Sequence, residues 1–294
     1  KQKVYHHLAK LSAKYFKDET QSFEVIIAGQ INDRKEFDVR RSGRTNIPAL
    51  SLRQYTFNGD LKYRKRFSGR WSLELGTQNV GIDNTNDPIT GIFPLIPDYF
   101  SWKSGIYATL SKPINKLTLD VGIRYDYENQ TVLTITNTAP RAIKRFENEF
   151  NNLSALFTYK YQIGEKQSID WNIGYAMRNP GINELYSNGL HQGVSGIEEG
   201  DPDLEIEKAI KNTLEYKWVP NSNFAFNVLA YYQHFNDYIY LDPQAEFRLT
   251  IRGAFPVFKY EQTNANIYGL DVTTQYSIGN SILGLLKYSY IRAK

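Results

Sequence analysis

Four histidines, at positions 6, 7, 191 and 234, carry the most versatile side-chain chemistry in this chain. His6 and His7 are neighbours, and on an extended strand neighbours point to opposite faces, so the pair cannot chelate one ion together. None of the four stands in the spacing of a helical zinc site, and the GVSG stretch around Ser195 lacks the pattern of a nucleophile elbow. No glycine loop of the phosphate-cradling kind occurs. The absence of cysteine removes disulfides, thiolate metal sites and cysteine nucleophiles together. The chain is therefore expected not to be an enzyme, and neither a resident metal nor a cofactor is expected.

Three polar stretches remain. The acidic run Glu198, Glu199, Asp201, Asp203, Glu205 and Glu207 has the carboxylates for Ca²⁺ but lacks the glycine-turn spacing of calcium loops, and a solvated loop is the simpler reading. Arg40, Arg41 and Arg44 suit bidentate contact with phosphates, or again a solvated loop. The third stretch, RNPGINELYSNGLHQ from Arg178, combines donors (Arg178, Asn183, His191), an acceptor (Glu184) and an aromatic platform (Tyr186). That mixture is what a chelate with anionic edges needs from a protein surface, which makes these five the candidate ligand contacts. Arg178, Glu184 and Glu207 equally suit tying the loop to its scaffold, and His191, near Asn188 and Gln192, equally suits packing within the loop.

The elements that must hold these stretches are strands. In LTLDVGIRYDY, Leu117, Leu119, Val121, Ile123, Tyr125 and Tyr127 fall on one face, and Thr118, Asp120, Gly122, Arg124 and Asp126 on the other. Trp71 to Gly76, Phe157 to Tyr161, Ile169 to Tyr175 and Ile210 to Trp218 alternate in the same way. Short turn signals at KDET (17–20), FSGR (67–70), PINK (113–116), GEKQ (164–167), PNSN (220–223) and GN (279–280) recur at intervals of 46 to 59 residues, room for two strands and one long connection. The long connections are read at 31–50, 81–100, 128–150, 178–208 and 241–263, with one helical turn near Asn183–Tyr186. Tight turns at one end and long loops at the other describe an up-and-down meander of about twelve strands.

Strand length then separates the possible surroundings. Segments such as Leu153 to Gln162 run about 10 residues, the length a tilted strand needs to cross a bilayer, whereas soluble strands usually run about 5–6. The apolar face is expected to meet lipid, with Leu119, Val121 and Ile123 outward, Asp120 and Arg124 facing a wet lumen, and Tyr125, Tyr127, Tyr161, Trp218, Tyr238 and Tyr240 in interfacial girdles. Heavy use of Tyr (22) and Phe (16) fits that setting. No apolar run reaches the roughly 18 residues of a spanning helix. The formal charge of +4 is modest and spread along the chain, so nucleic acid is not an expected partner. Lys1 opens the chain and Met177 is its sole methionine, so a processed or partial chain is expected.

The region from Arg178 resembles the signature of TonB-dependent outer-membrane receptors. Its elements are Arg178 and Pro180, then Glu184, Leu185 and Tyr186, then Gly189 and His191, then Gly200, Pro202, Leu204 and Glu207, with Asp201 where the family has Asn. YYQHFNDYIYL (231–241) and YEQTNANIYGLDV (260–272) resemble two further family strands in the right order, with Asp271 where Glu is usual. The resemblance is firm from about residue 150 to 290.

It implies an all-β fold, a transmembrane antiparallel up-and-down β-barrel, of which residues 1–294 are a partial barrel domain with about 12 of 22 strands. It implies TonB as a partner through a plug and TonB box outside these residues, and a monomeric barrel in the outer membrane of a Gram-negative bacterium, against lipid and lipopolysaccharide. The implied function is TonB-energised uptake of a scarce ligand, a ferric siderophore or haem-like iron complex. A passive porin or adhesin barrel shares the alternation and stays open as an alternative, as does a soluble glycan-binding β protein.

Overall fold

The computed structural model describes residues 1–37, 45–135, 140, 142–191, 195–250, 253–279 and 281–294. Arg40, Arg41, Arg44, Gln192 and the last residue of the 279–280 turn lie outside them.

Twelve long strands form one meander: β1 (Gln2–Phe16), β2 (Gln21–Glu36), β3 (Leu50–Arg66), β4 (Ser72–Asn86), β5 (Asp98–Ile114), β6 (Leu117–Ile135), β7 (Ile143–Gly164), β8 (Gln167–Arg178), β11 (Glu207–Asn221), β12 (Phe224–Thr250), β13 (Gly253–Ile278) and β14 (Ile282–Ala293). Each pairs antiparallel with the next, and β1 and β14 each have one neighbour among the described residues. Between β8 and β11 the chain adds a helical turn α1 (Ile182–Tyr186) and two four-residue strands, β9 (Asn188–His191) and β10 (Gly196–Glu199). β10 lies parallel to β13 at Ile197–Val257, with β9 on its far side. The tight turns fall where the sequence places them; Asn115, with φ 51°, is the left-handed residue of the 113–116 turn.

The connections read at 128–150 and 241–263 are instead mostly strand. β6 runs to Ile135 and β7 starts at Ile143, while β12 and β13 extend for 27 and 26 residues. Beyond the apolar belt both faces are wet, so the alternation of apolar and polar residues disappears from the sequence while backbone pairing continues. Tyr238 and Tyr240 lie in this extension, past the register shift between Phe235 and Tyr238.

Register makes the two faces explicit. Val25, Leu61, Thr77, Ile106, Tyr125 and Leu153 lie opposite one another across six strands on the outer face. Val121 and Ile123 share that face and are about half exposed, at 51% and 54%. Polar groups there satisfy one another, since no water reaches them in lipid. The Trp102 indole donates to Ser104 Oγ (2.9 Å), Ser104 to Asn79 Oδ1 (2.8 Å), and Asn79 Nδ2 to Thr77 Oγ1 (3.1 Å).

The inner face is a ladder of paired charges. Arg64 meets Glu74 at 2.5 Å, and Tyr107 donates to the same carboxylate at 3.0 Å. Arg124 holds Asp126, Lys160 reaches Asp120 at 3.2 Å, and Lys217 bridges Glu215 and Asp170. This is the distribution expected of strands with lipid on one side and water on the other.

Candidate functional site

The segment between β8 and β11 folds onto the inner face and builds the larger of the two buried apolar clusters among the described residues. β8 ends at Arg178, and Pro180 just beyond it has no N–H with which to continue the ladder. The chain then turns through Gly181 into α1, whose Glu184 Oε2 accepts from the Gly181 amide at 2.6 Å. α1 buries Ile182, Leu185 and Tyr186 together with Leu204, against Val132 and Ile239 of the wall. Phe146 stands against the Tyr186 ring with centroids 5.0 Å apart.

Arg178 ties the segment to the sheet at both its ends. Its Nη1 contacts Glu184 Oε2 at 2.8 Å and its Nη2 contacts Glu207 Oε2 at 3.0 Å, and Arg178 and Glu207 are direct register partners. The Glu207 carboxylate also accepts from the Ile239 amide at 3.0 Å. Partial burial opposes the charge on Arg178, and the hydrogen bonds that it donates to Glu207 and Glu184 offset that cost.

An amide-rich network holds the segment from below. Asn152 donates to Asn179 (2.7 Å), Asn179 to Glu128 (2.8 Å), and Gln130 and Ser101 donate to the other oxygen of Glu128. Asn148 links Gln130 to the Tyr186 hydroxyl, which donates to it at 2.9 Å. Asn183 donates to the Tyr260 hydroxyl at 3.1 Å, and Gln262 brackets the backbone of Glu205, accepting at 2.8 Å and donating at 2.9 Å. Sequence reading missed Glu128, Gln130, Asn148, Asn152, Tyr260 and Gln262. The parity of Asp120, Arg124 and Asp126, carried on to Glu128 and Gln130, was the available signal.

Burial raises the pKa of the Tyr186 phenol. A neutral phenol favoured by the fold stabilises the segment fully below the unfolded tyrosine value of about 10, and that contribution is lost as pH rises through the higher folded value. Hydrogen exchange of residues 182–186 is therefore expected to be steeper above pH 10 than base catalysis alone gives, and Tyr186→Phe should abolish its share of the excess.

Gly200 explains the glycine of the signature. A Cβ there would stand 2.6 Å from the backbone of Leu185 and Tyr186, whose atoms cannot swing aside. Gly200 donates to Ser187 O at 2.7 Å and Asp201 to Glu184 O at 2.9 Å, which stitches the return of the chain to α1. Gly200→Ala is expected to cost about 1–2 kcal/mol and expose α1 to limited proteolysis while the strands stay resistant.

β9 and β10 carry the remaining candidate. His191 Nδ1 lies 2.6 Å from Glu198 Oε1; the carboxylate is buried and the ring partly exposed. Ile197 packs beneath with Phe255 and Val257. The acidic run is dispersed: Glu198 faces His191, Glu199 meets Arg248 at 2.5 Å, Glu207 meets Arg178, and Asp201 accepts from the Asp203 amide. Among the described residues no group of three His, Asp or Glu could hold a metal ion.

Of the five candidates, Arg178, Asn183, Glu184 and Tyr186 meet in one anchored cluster around α1, and His191 stands apart on β9.

The fold has many solved counterparts. The copper transporter OprC superposes with a TM-score of 0.78 at 14% identity, over 98% of this chain and 46% of its own. The Serratia marcescens hemophore receptor HasR, solved with its hemophore HasA and heme, gives 0.73 at 15% identity, over 99% and 49%. The FrpB iron transporter of Neisseria meningitidis gives 0.67 at 14% identity, over 100% and 44%. The chain thus spans about half the length of these structures or less. No curated protein matches it in sequence. Residues 5–294 match the family described as TonB dependent receptor-like, beta-barrel. With that match over nearly its whole length, the chain belongs to the TonB-dependent receptor β-barrel family.

Proposed function

We propose that this barrel segment works in TonB-energised uptake of a scarce ligand across the outer membrane of a Gram-negative bacterium, the ligand being an iron chelate of the ferric siderophore or haem type. Family membership over residues 5–294 is the observation that supports this most. TonB, reached through a plug, supplies the energy, and the segment between β8 and β11 belongs to the external ligand-facing surface. Within it His191 and the exposed part of Arg178 contact ligand, while Asn183, Glu184 and Tyr186 fix their positions. The protein transports and does not catalyse.

The test is accumulation of radiolabelled iron, given as ferric chelates or as haem, by iron-starved cells with and without the gene. Uptake that needs the gene, TonB and the proton-motive force is the expected result. Gene-dependent uptake that survives loss of TonB favours a passive pore and overturns the reading. With a transported chelate in hand, His191→Ala in the full-length protein should weaken binding by about 1–2 kcal/mol at unchanged melting temperature.

A further inference from the structure

We infer that the sheet carries a docking slot for a protein partner, which adds a β-hairpin with basic outward side chains between β7 and β12. This rests on the reading of the chain as an outer-membrane barrel with this end outside the cell.

The slot follows from register. β7 pairs with β6 along residues 143–161, but with β8 only from Ala155 onward. β12 pairs with β13 up to Thr250, but with β11 only as far as Asn236. Above the Arg178–Glu207 rung, residues 143–154 and 237–250 are therefore strand edges with one neighbour each among the described residues. The two edges run antiparallel, and β8 and β11 hold them three inter-strand steps apart at the base, about 14 Å at roughly 4.8 Å per step. That is the room two further antiparallel strands need. α1 does not fill it, since Ile182, Leu185 and Tyr186 pack with Phe146 and Ile239 on the inner side.

The edges offer backbone groups as well as space. The Leu153 amide points away from β6 into the slot, where Met177 Sδ accepts from it at 3.3 Å. By the period of two the amides of Asn151, Glu149, Glu147 and Arg145 point the same way, and among the described residues no strand lies there to accept from them. Residues 143–154 contain no proline and pair with β6 without a register shift, so two of the devices that blunt an exposed edge are missing. An edge of this kind binds an extended polypeptide by strand addition.

Charge specifies the partner. Arg145, Glu147 and Glu149 stand on the outer face of one bank, and Asp242 and Glu261 on that of the other. Arg145 meets Glu147 at 2.7 Å, and Lys259, opposite Asp242, turns to Glu199 at 3.9 Å. Glu149, Asp242 and Glu261 are left without a cation among the described residues. A hairpin with lysine or arginine at its outward positions complements them.

The test uses the full-length protein in detergent. The probe is a synthetic disulfide-closed β-hairpin of about eight residues per strand, with lysine at alternate positions. A control carries the same charges but N-methylated edge amides, so it cannot pair as a strand. Amide exchange of residues 143–151 should be fast in the free protein and slow about tenfold with saturating hairpin, while β2–β5 and the control experiment show no change. Glu149→Pro removes one slot-facing N–H outside the β6 ladder and should abolish the protection at normal heat-modifiable mobility. Glu149→Lys with Asp242→Lys should weaken hairpin binding about tenfold. Slow exchange of 143–151 in the free protein would mean that the rest of the chain already covers the edge, and would overturn the slot. Absence of protection, equal protection by the N-methylated control, or protection that survives Glu149→Pro would overturn it too. Failure of Lys144→Cys to react with a membrane-impermeant maleimide on intact cells would overturn the outward orientation instead.

Discussion

Val121→Arg is expected to block assembly of the barrel, whereas Asp120→Asn, one residue away, should leave it assembled. Val121 projects from the outer face midway along the apolar part of β6, and its register partners Leu110 and Phe157 are apolar too. A cation there has no partner and no water within reach, and an arginine at the bilayer midplane of a barrel costs about 2–4 kcal/mol. Asp120 points the other way, where it accepts from Ser111 and meets Lys160 at 3.2 Å. Its carboxamide keeps an acceptor for the serine and loses only a partly exposed ion pair, worth about 1 kcal/mol or less. Heat-modifiable mobility of the full-length protein from outer-membrane fractions separates the two: little folded band for the arginine variant, a normal one for the asparagine variant. Equal folded yields would refute the assignment of faces.

Arg178→Ala carries the second large effect, and it is local. Removing the guanidinium leaves Glu184 and Glu207 facing each other, with side chains only 15% and 10% exposed. Breaking a fully buried pair typically costs about 3–5 kcal/mol; with Arg178 itself 45% exposed, we expect about 2–3 kcal/mol. The loss should appear as rapid exchange and proteolysis within residues 179–206, with the strands still protected. Arg178→Ala combined with Glu184→Gln should recover part of it, because one stranded charge is then removed. Uniform loosening of the strands, or no recovery in the double variant, would count against the clamp.

The meander, its faces and its tight turns were legible because lipid and water impose opposite chemistry on alternate residues, as Leu117 to Tyr127 show. Past the belt that contrast fades, which is why the strand continuations at 128–135 and 241–250 read as loops. β9 and β10, at four residues each, are too short for any periodicity. The anchoring role of Arg178, Glu184 and Glu207 was visible as one of two readings, but the supporting amides were not. Asn148, Asn152 and Asn179 are ordinary polar residues until the register places them in line. Gly200 was visible as a motif glycine, and only the approach of the Leu185 backbone supplies its reason.

Because Arg178 and Glu207 share one rung, the segment between them leaves and re-enters the twelve-strand meander at neighbouring positions, touching its edge only where β10 lies along β13. Everything between is a closed excursion, and doubling its length would add only about 0.6 kcal/mol of closure entropy. This excursion can therefore change in length and sequence as a cassette while the rung and the strands below it stay fixed. Variation within it is thereby uncoupled from the far stricter demands of strand pairing.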